Sequence, residues 1–270
     1  MGGRLQMIRW STPFTAALAA RGYRVIRFDN RDCGLSTHLD ALPAPDFGAL
    51  AAALVAGERP AMPYSLTDMV NDALALLDAL DIDRAHVVGR SMGGMIAQAM
   101  ASEAPDRVLS LTSIMSGTGN PALPQADPEV MALMTRPRPD PAADPDGFLA
   151  HSLAFARRIA GSGSAFDPEA EGRLALQEAR RARDPAGTAR QLAAMATAGD
   201  RRDRLATIAA PTLVVHGTED PLIPPDHGRD TADAIPGAEL MLIDGMGHDL
   251  SATVQPRIVD AIDRTARRAS

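Results

Sequence analysis

Gly89-Arg90-Ser91-Met92-Gly93-Gly94 decides the reading of this 270-residue sequence. Its first part fits G-x-S-x-G, and the flanks give the match its meaning. His86–Gly89 (HVVG) is a short buried strand, and Gly93–Glu103 reads as a helix that stops before Pro105. A serine between the two stands on a tight strand-to-helix turn. The glycines admit a strained backbone there that side chains would obstruct. The turn carries the hydroxyl out at the carboxyl edge of a sheet, where the following helix adds free N–H groups and partial positive charge. Ser91 is therefore the candidate nucleophile. The plainer alternative is a Gly-rich strand–helix turn without chemistry.

Outward from this turn, strands and helices alternate. Tyr23–Phe28 (YRVIRF) is rich in β-branched and aromatic residues and predicts a strand. Leu66–Leu80 places Leu66, Met69, Val70, Ala73, Leu77 and Leu80 at helical spacing. Val108–Met115, Thr212–His216 and Glu239–Ile243 read as strands, and Asp226–Ile235 and Thr253–Arg268 as helices. Strands joined by helical crossovers predict an α/β fold, a mostly parallel, doubly wound sheet with helices on both faces. The stretch between Met115 and Pro211 breaks the alternation. Gly117–Gly147 is Pro-rich, and helical segments follow near Phe148–Ile159, Glu169–Arg183 and Gly187–Ala198. A connection that long inside one domain calls for an explanation. The expected organisation is a core formed by 1–116 and 200–270, with a helical cap inserted at 117–199.

A nucleophilic serine needs a base and a carboxylate to orient it. Asp220 follows the strand Thr212–His216 in a turn fixed by Pro221. His248 follows the strand Glu239–Ile243 in the loop Asp244-Gly245-Met246-Gly247-His248. Ser91, Asp220 and His248 all fall at carboxyl ends of strands, where open α/β sheets place their ligands. Glu219 is the weaker candidate acid, because adjacent loop residues point in different directions. His216 reads as a packed strand histidine, and His227, at a helix start, as a surface one. His38, His86 and His151 have no matching context.

Composition removes other classes. The sequence carries 27 basic and 34 acidic residues, a net charge of −7, which argues against nucleic acid or an anionic membrane as partner. All of the basic residues are Arg, so a P-loop lysine, a Schiff-base lysine and a Ser-Lys dyad are excluded. Cys33 is the single cysteine, which excludes a disulfide framework and a Cys-based metal site. No apolar run has the length of a membrane span, and the start lacks the build of a signal peptide, so a cytoplasmic location is expected. No metal is expected, since there is no H-E-x-x-H and no His/carboxylate pair at ligand spacing. Gly117-Thr118-Gly119-Asn120-Pro121-Ala122 mimics a dinucleotide fingerprint, but the prolines that follow cannot open the required helix, and no cofactor is expected.

These motifs together resemble those of the α/β-hydrolase superfamily over nearly the whole chain. Tyr23–Ser36 (YRVIRFDNRDCGLS) is similar to the strand and turn written D-x-R-G-x-G-x-S. GRSMGG resembles the nucleophile turn, PTLVVHGTEDPLIP the strand and turn bearing the acid, and GMGH the histidine loop. Met1-Gly2-Gly3, Asp83–Gly89 (DRAHVVG) and Asp184-Pro185-Ala186-Gly187 resemble a subgroup of esterases, the aclacinomycin methylesterase-like hydrolases. The resemblance implies hydrolysis of a small-molecule carboxylic ester through an acyl-enzyme, with Ser91, His248 and Asp220 as the triad. It implies an oxyanion hole built from the Met92 and Gly3 backbone N–H groups. The cap's Ala, Leu and Met residues suit a hydrophobic ester of small or medium size. The alternatives on the same triad are cofactor-free haloperoxidase or perhydrolase chemistry and C–C bond hydrolysis. A further alternative is a non-catalytic, truncated relative. Three strands that the superfamily places before the Gly3 loop have no counterpart, so an N-terminally truncated version of the fold is expected. Cys33 departs from the pattern by replacing a glycine and reads as a small buried thiol. Arg90 stands where relatives more often carry an uncharged residue, and it either packs or places a cation near the site.

Overall fold

A computed structural model describes residues 6–58 and 60–269. In chain order, the amino-terminal part contributes helices α1 (Thr12–Ala19), α2 (Phe47–Val55) and α3 (Leu66–Ala79). Strand β1 (Ala85–Arg90), helix α4 (Met92–Glu103) and strand β2 (Val108–Ile114) follow. Four helices come next, α5 (Pro128–Thr135), α6 (Pro145–Ile159), α7 (Pro168–Arg181) and α8 (Pro185–Ala196). The short helix α9 (Arg202–Leu205) leads to β3 (Thr212–Gly217), α10 (Pro225–Ala234), β4 (Glu239–Ile243) and α11 (Gln255–Ala266).

The four strands form one parallel sheet in the order β1-β2-β3-β4 among the described residues. The register aligns Arg90 with Ile114 and Gly217 with Ile243. The carboxyl ends of the strands therefore emerge along one edge. Helices cover both faces. On one side Met69, Val70, Ile96, Met100 and Leu111 form a core beneath α3 and α4. On the other, Trp10, Phe14, Val215, Ile258 and Ile262 join α1 and α11 to the sheet. Helix α3 forms where expected for two reasons. Ser65 and Asp68 close a capping box, and Leu66, Met69, Val70, Ala73 and Leu77 place a single buried face on the sheet. Among the described residues no helix is long and apolar enough to cross a membrane.

The Pro-rich stretch is more regular than its composition suggests. Asp127-Pro128, Asp144-Pro145, Asp167-Pro168 and Asp184-Pro185 each start a helix. In every case the aspartate accepts backbone N–H bonds from the first turn, while proline takes a first-turn position where its missing N–H is not needed.

Tyr23–Phe28 departs from expectation. The stretch is extended but joins no ladder, because no strand among the described residues lies beside it to pair its backbone groups. Val25 and Ile26 remain 36% and 39% exposed. Between this stretch and β1 lies a cavity of about 470 Å³, lined among others by Phe14, Leu18, Val25, Val87, Ile96 and Met100.

The turn after Tyr23–Phe28 is tied to α8 by a buried ion pair. Arg190 binds both oxygens of Asp32 at 2.8 Å and the Leu42 carbonyl at 2.7 Å. Both charged side chains are 0% exposed. Removing Asp32 leaves the buried guanidinium with only the longer ion pair to Asp184, at 3.3 Å. Asp32→Ala is expected to lower the unfolding free energy by about 3 kcal/mol, read from urea denaturation.

Candidate functional site

Ser91 sits between β1 and α4 with φ 53° and ψ −125°, a left-handed conformation that non-glycine residues rarely adopt. Its own N–H donates to the Ile114 carbonyl at 2.9 Å, which fixes the turn to β2. The neighbouring glycines serve close approach. A Cβ on Gly89 would fall 1.9 Å from the Gly93 carbonyl oxygen, and one on Gly94 would fall 2.5 Å from the Ser116 Cβ.

Two loops at the same sheet edge deliver the partners. His248 Nε2 lies 3.0 Å from Ser91 Oγ, and its Nδ1 lies 2.7 Å from Asp220 Oδ2. Ser91, Asp220 and His248 are 6%, 3% and 3% exposed. The histidine loop is held by the end of α6, where His248 N–H donates to the Ile159 carbonyl at 2.8 Å. Asp220 Oδ1 accepts the backbone N–H groups of Leu222 and Ile223 at 2.9 and 2.8 Å. Burial alone would raise the Asp220 carboxyl, but the charges and hydrogen bonds of His248 and His216 outweigh it and hold the group well below the ordinary carboxylate range. An ionised Asp220 can only accept, so Nδ1 of His248 carries the proton. The Nε2 lone pair is then left to face the Ser91 hydroxyl.

The other candidates are placed elsewhere. Glu219 accepts the N–H and hydroxyl of Ser162 at 2.7 Å and takes no part at His248. His216 is buried in β3 and donates from Nε2 to the Ile223 carbonyl at 2.8 Å, which supports the acid turn from below. His86 Nδ1 meets Ser110 Oγ at 2.9 Å. His227 Nε2 donates to the Pro124 carbonyl at 2.9 Å. Cys33 is buried, and burial pushes its thiol up to about 12. The Met92 backbone N–H lies in the first turn of α4, where helical geometry leaves it without an intrahelical acceptor. Gly3, expected as the other oxyanion donor, lies outside the described residues.

Asp32, His38 and Asp184 come together with ligand atoms within 4.8 Å of one another, a convergence that spacing along the chain does not announce. The Arg190 guanidinium already supplies the positive charge there, at 2.8 Å from Asp32 and 3.3 Å from Asp184.

A cavity of about 380 Å³ opens beside His248, walled by α6 and α7. Phe155, Phe166 and Leu174 make it apolar, while Arg9, Arg90 and Arg138 bring charge. His151 lines it too. No motif marks Arg9, Arg138 or His151 in the sequence, because their place depends on how α6, α7 and their neighbours pack.

Comparison with known proteins agrees with this architecture. The sequence profile of the α/β hydrolase fold matches residues 6–253. Rhodomycin D methylesterase DauP from Streptomyces sp. (strain C5) is 32% identical over 301 aligned positions, which cover 100% of this chain and 90% of that protein. A 2-hydroxy-6-oxononadienedioate/2-hydroxy-6-oxononatrienedioate hydrolase from Cupriavidus pinatubonensis is 29% identical, covering 86% of this chain and 72% of its own length. The structure of a meta-cleavage product hydrolase from Pseudomonas fluorescens IP01 superposes with a TM-score of 0.72 at 18% identity, covering 100% of this chain and 88% of that one. At that identity the likeness speaks for the fold alone. A carboxyl-edge serine on a strained strand–helix turn, a sheet wound on both faces and a profile match along most of the sequence have one reading: this chain belongs to the α/β-hydrolase fold family.

Proposed function

We propose that the protein is a serine esterase that cleaves a small-molecule carboxylic ester, with a methyl ester as the substrate class. The observation that carries this reading is His248 standing between Ser91 at 3.0 Å and Asp220 at 2.7 Å, in the wall of an apolar cavity. The similarity to a rhodomycin D methylesterase supports the methyl ester. The inserted residues 117–199 act as the cap that shapes the acyl site.

The chemistry follows from the proton inventory. His248 Nε2 takes the hydroxyl proton as Ser91 Oγ attacks the ester carbonyl. Asp220 keeps Nδ1–H aimed and stabilises the imidazolium that results. The negative charge on the carbonyl oxygen is met by the Met92 N–H at the positive end of α4, with Gly3 as the other donor. His248 then gives the proton to the leaving alcohol. In the second half it takes a proton from water, whose oxygen attacks the acyl-enzyme, and returns that proton to Ser91 Oγ as the Oγ–acyl bond breaks and the acid leaves.

Labelling by a fluorophosphonate probe tests the nucleophile, and release of methanol from a panel of methyl esters tests the reaction. Labelling and methanol release are both expected from the wild-type protein, and neither from Ser91→Ala. Equal labelling of wild type and Ser91→Ala would overturn the assignment. The relative from Cupriavidus is a 2-hydroxy-6-oxononadienedioate hydrolase, so a C–C substrate belongs in the same panel. Turnover of that substrate without ester cleavage would favour C–C hydrolysis on the same residues.

A further inference from the structure

The cavity beside His248 contains a buried guanidinium that forms no ion pair among the described residues. Arg90 ends β1 opposite Ile114 and is 6% exposed. It lines the cavity with His248 and Asp249. Among the described residues its Nε has no hydrogen-bond partner, and no carboxylate comes within 4.0 Å of its guanidinium.

The other arginines of the cavity and the core have carboxylate, carbonyl or ring partners. Arg9, in the same cavity, is bound by Glu171 and Glu178 at 2.5 and 2.7 Å. Arg190 is saturated by Asp32 and the Leu42 carbonyl. Arg201 donates to the Gly117 carbonyl at 2.6 Å. Arg138 rests over the Phe148 ring, 5.0 Å from its centroid. Asp249 attracts Arg90 electrostatically but forms no ion pair with it, and burial raises its own carboxyl. Burial pushes the Arg90 guanidinium down to about 10, with Arg9 adding to the effect, which leaves it charged at neutral pH.

An unmatched guanidinium in an apolar cavity is costly to maintain. Its planar fork matches a carboxylate in two parallel hydrogen bonds. Arg90 shares this cavity with His248, whose Nε2 faces Ser91 Oγ.

We propose that Arg90 anchors a free carboxylate on the acyl part of the substrate, so that the preferred substrate is a half-ester of a dicarboxylic acid. This inference rests on the esterase reading of the same site. It also explains why a charged residue occupies a position that packing alone would fill with an uncharged one.

The test compares monomethyl adipate with dimethyl adipate. Wild type is expected to favour the half-ester in kcat/KM. Arg90→Met is expected to lower the ratio of the two kcat/KM values by about 30-fold, the effect of losing a hydrogen-bonded charge pair, and Arg90→Lys to restore part of it. Thermal unfolding of Arg90→Met is expected at or above the wild-type midpoint, because an unmatched buried charge is removed. A substantially lower midpoint would show that the protein itself supplies the counter-charge, and would overturn the proposal. So would a wild-type preference for the diester, or an unchanged ratio in Arg90→Met. Binding of adipate to Ser91→Ala, measured by calorimetry, separates the two readings because it needs no turnover. If adipate binds Ser91→Ala and not the Ser91→Ala/Arg90→Met double variant, the Arg90 site stands even where no ester is cleaved and no probe attaches. Absence of binding with ester cleavage intact sinks the carboxylate anchor and leaves the esterase reading in place.

Discussion

Ser91→Ala is expected to lower kcat on a methyl ester by about a million-fold, with thermal stability nearly unchanged. The size of the effect follows from the unity of the site. In the proposed mechanism Ser91 Oγ is the atom that bonds to the acyl carbon, and His248 has nothing to deprotonate without it, so the whole acyl-enzyme route is lost. What survives is the small benefit of binding and of the Met92 N–H, felt by water attacking directly. Stability is spared because alanine fills nearly the same space. The strained φ of 53° is imposed by the turn and remains with either residue. The measurement is a rate comparison at saturating ester with a melting curve on the same samples. A loss under tenfold would place the nucleophile elsewhere.

Asp220→Asn is expected to lower kcat about ten-thousand-fold without displacing the loop. An asparagine keeps the shape and can still accept the Leu222 and Ile223 N–H groups. Its amide also offers donors toward Nδ1, which favours the tautomer with the proton on Nε2. That tautomer cannot take a proton from Ser91. The same substitution has a signature in stability. The Asp220 carboxyl is depressed on folding by His248 and His216, in spite of burial. A depressed carboxyl contributes stability above its unfolded value, about pH 4, and that contribution is lost as pH falls through the lower folded value. Urea titrations of wild type between pH 5 and pH 2 should therefore lose stability more steeply than those of Asp220→Asn. Parallel curves would mean that Asp220 is not held as an ion in the folded protein.

Much of this was legible because the informative residues act locally. The turn at Ser91 needs only its own glycines and the strand and helix that flank it. Asp220 and His248 each follow a strand whose β-branched and apolar run is readable on its own. Helix α3 declares itself through a capping box and one apolar face. What escaped depends on neighbours distant in sequence. Tyr23–Phe28 has the residues of a strand but lacks a ladder partner among the described residues, and strandness belongs to a pair. The prolines of the Pro-rich stretch looked like loop residues. At positions 128 and 145 they are instead the first residues of helices, each announced by the aspartate before it. Arg9, Arg138 and His151 reach the cavity only through the packing of α6, α7 and their neighbours. Arg90 was visible from the start, but its lack of a carboxylate partner is a property of the folded chain.

Among the described residues strand β1 is hydrogen-bonded along one side only, to β2, and its other side faces the cavity that separates it from Tyr23–Phe28. The strand that carries Ser91 is thus one edge of the sheet among the described residues, as β4 is the other. Its outward-facing amides need only a local opening to meet water, whereas those of β3, paired on both sides, must wait for a larger one. Deuterium is therefore expected to enter β1 before β3. Order of failure on warming should follow the same gradient: catalysis fades while far-ultraviolet circular dichroism still reports an intact fold, because the mounting of Ser91 loosens before the sheet does.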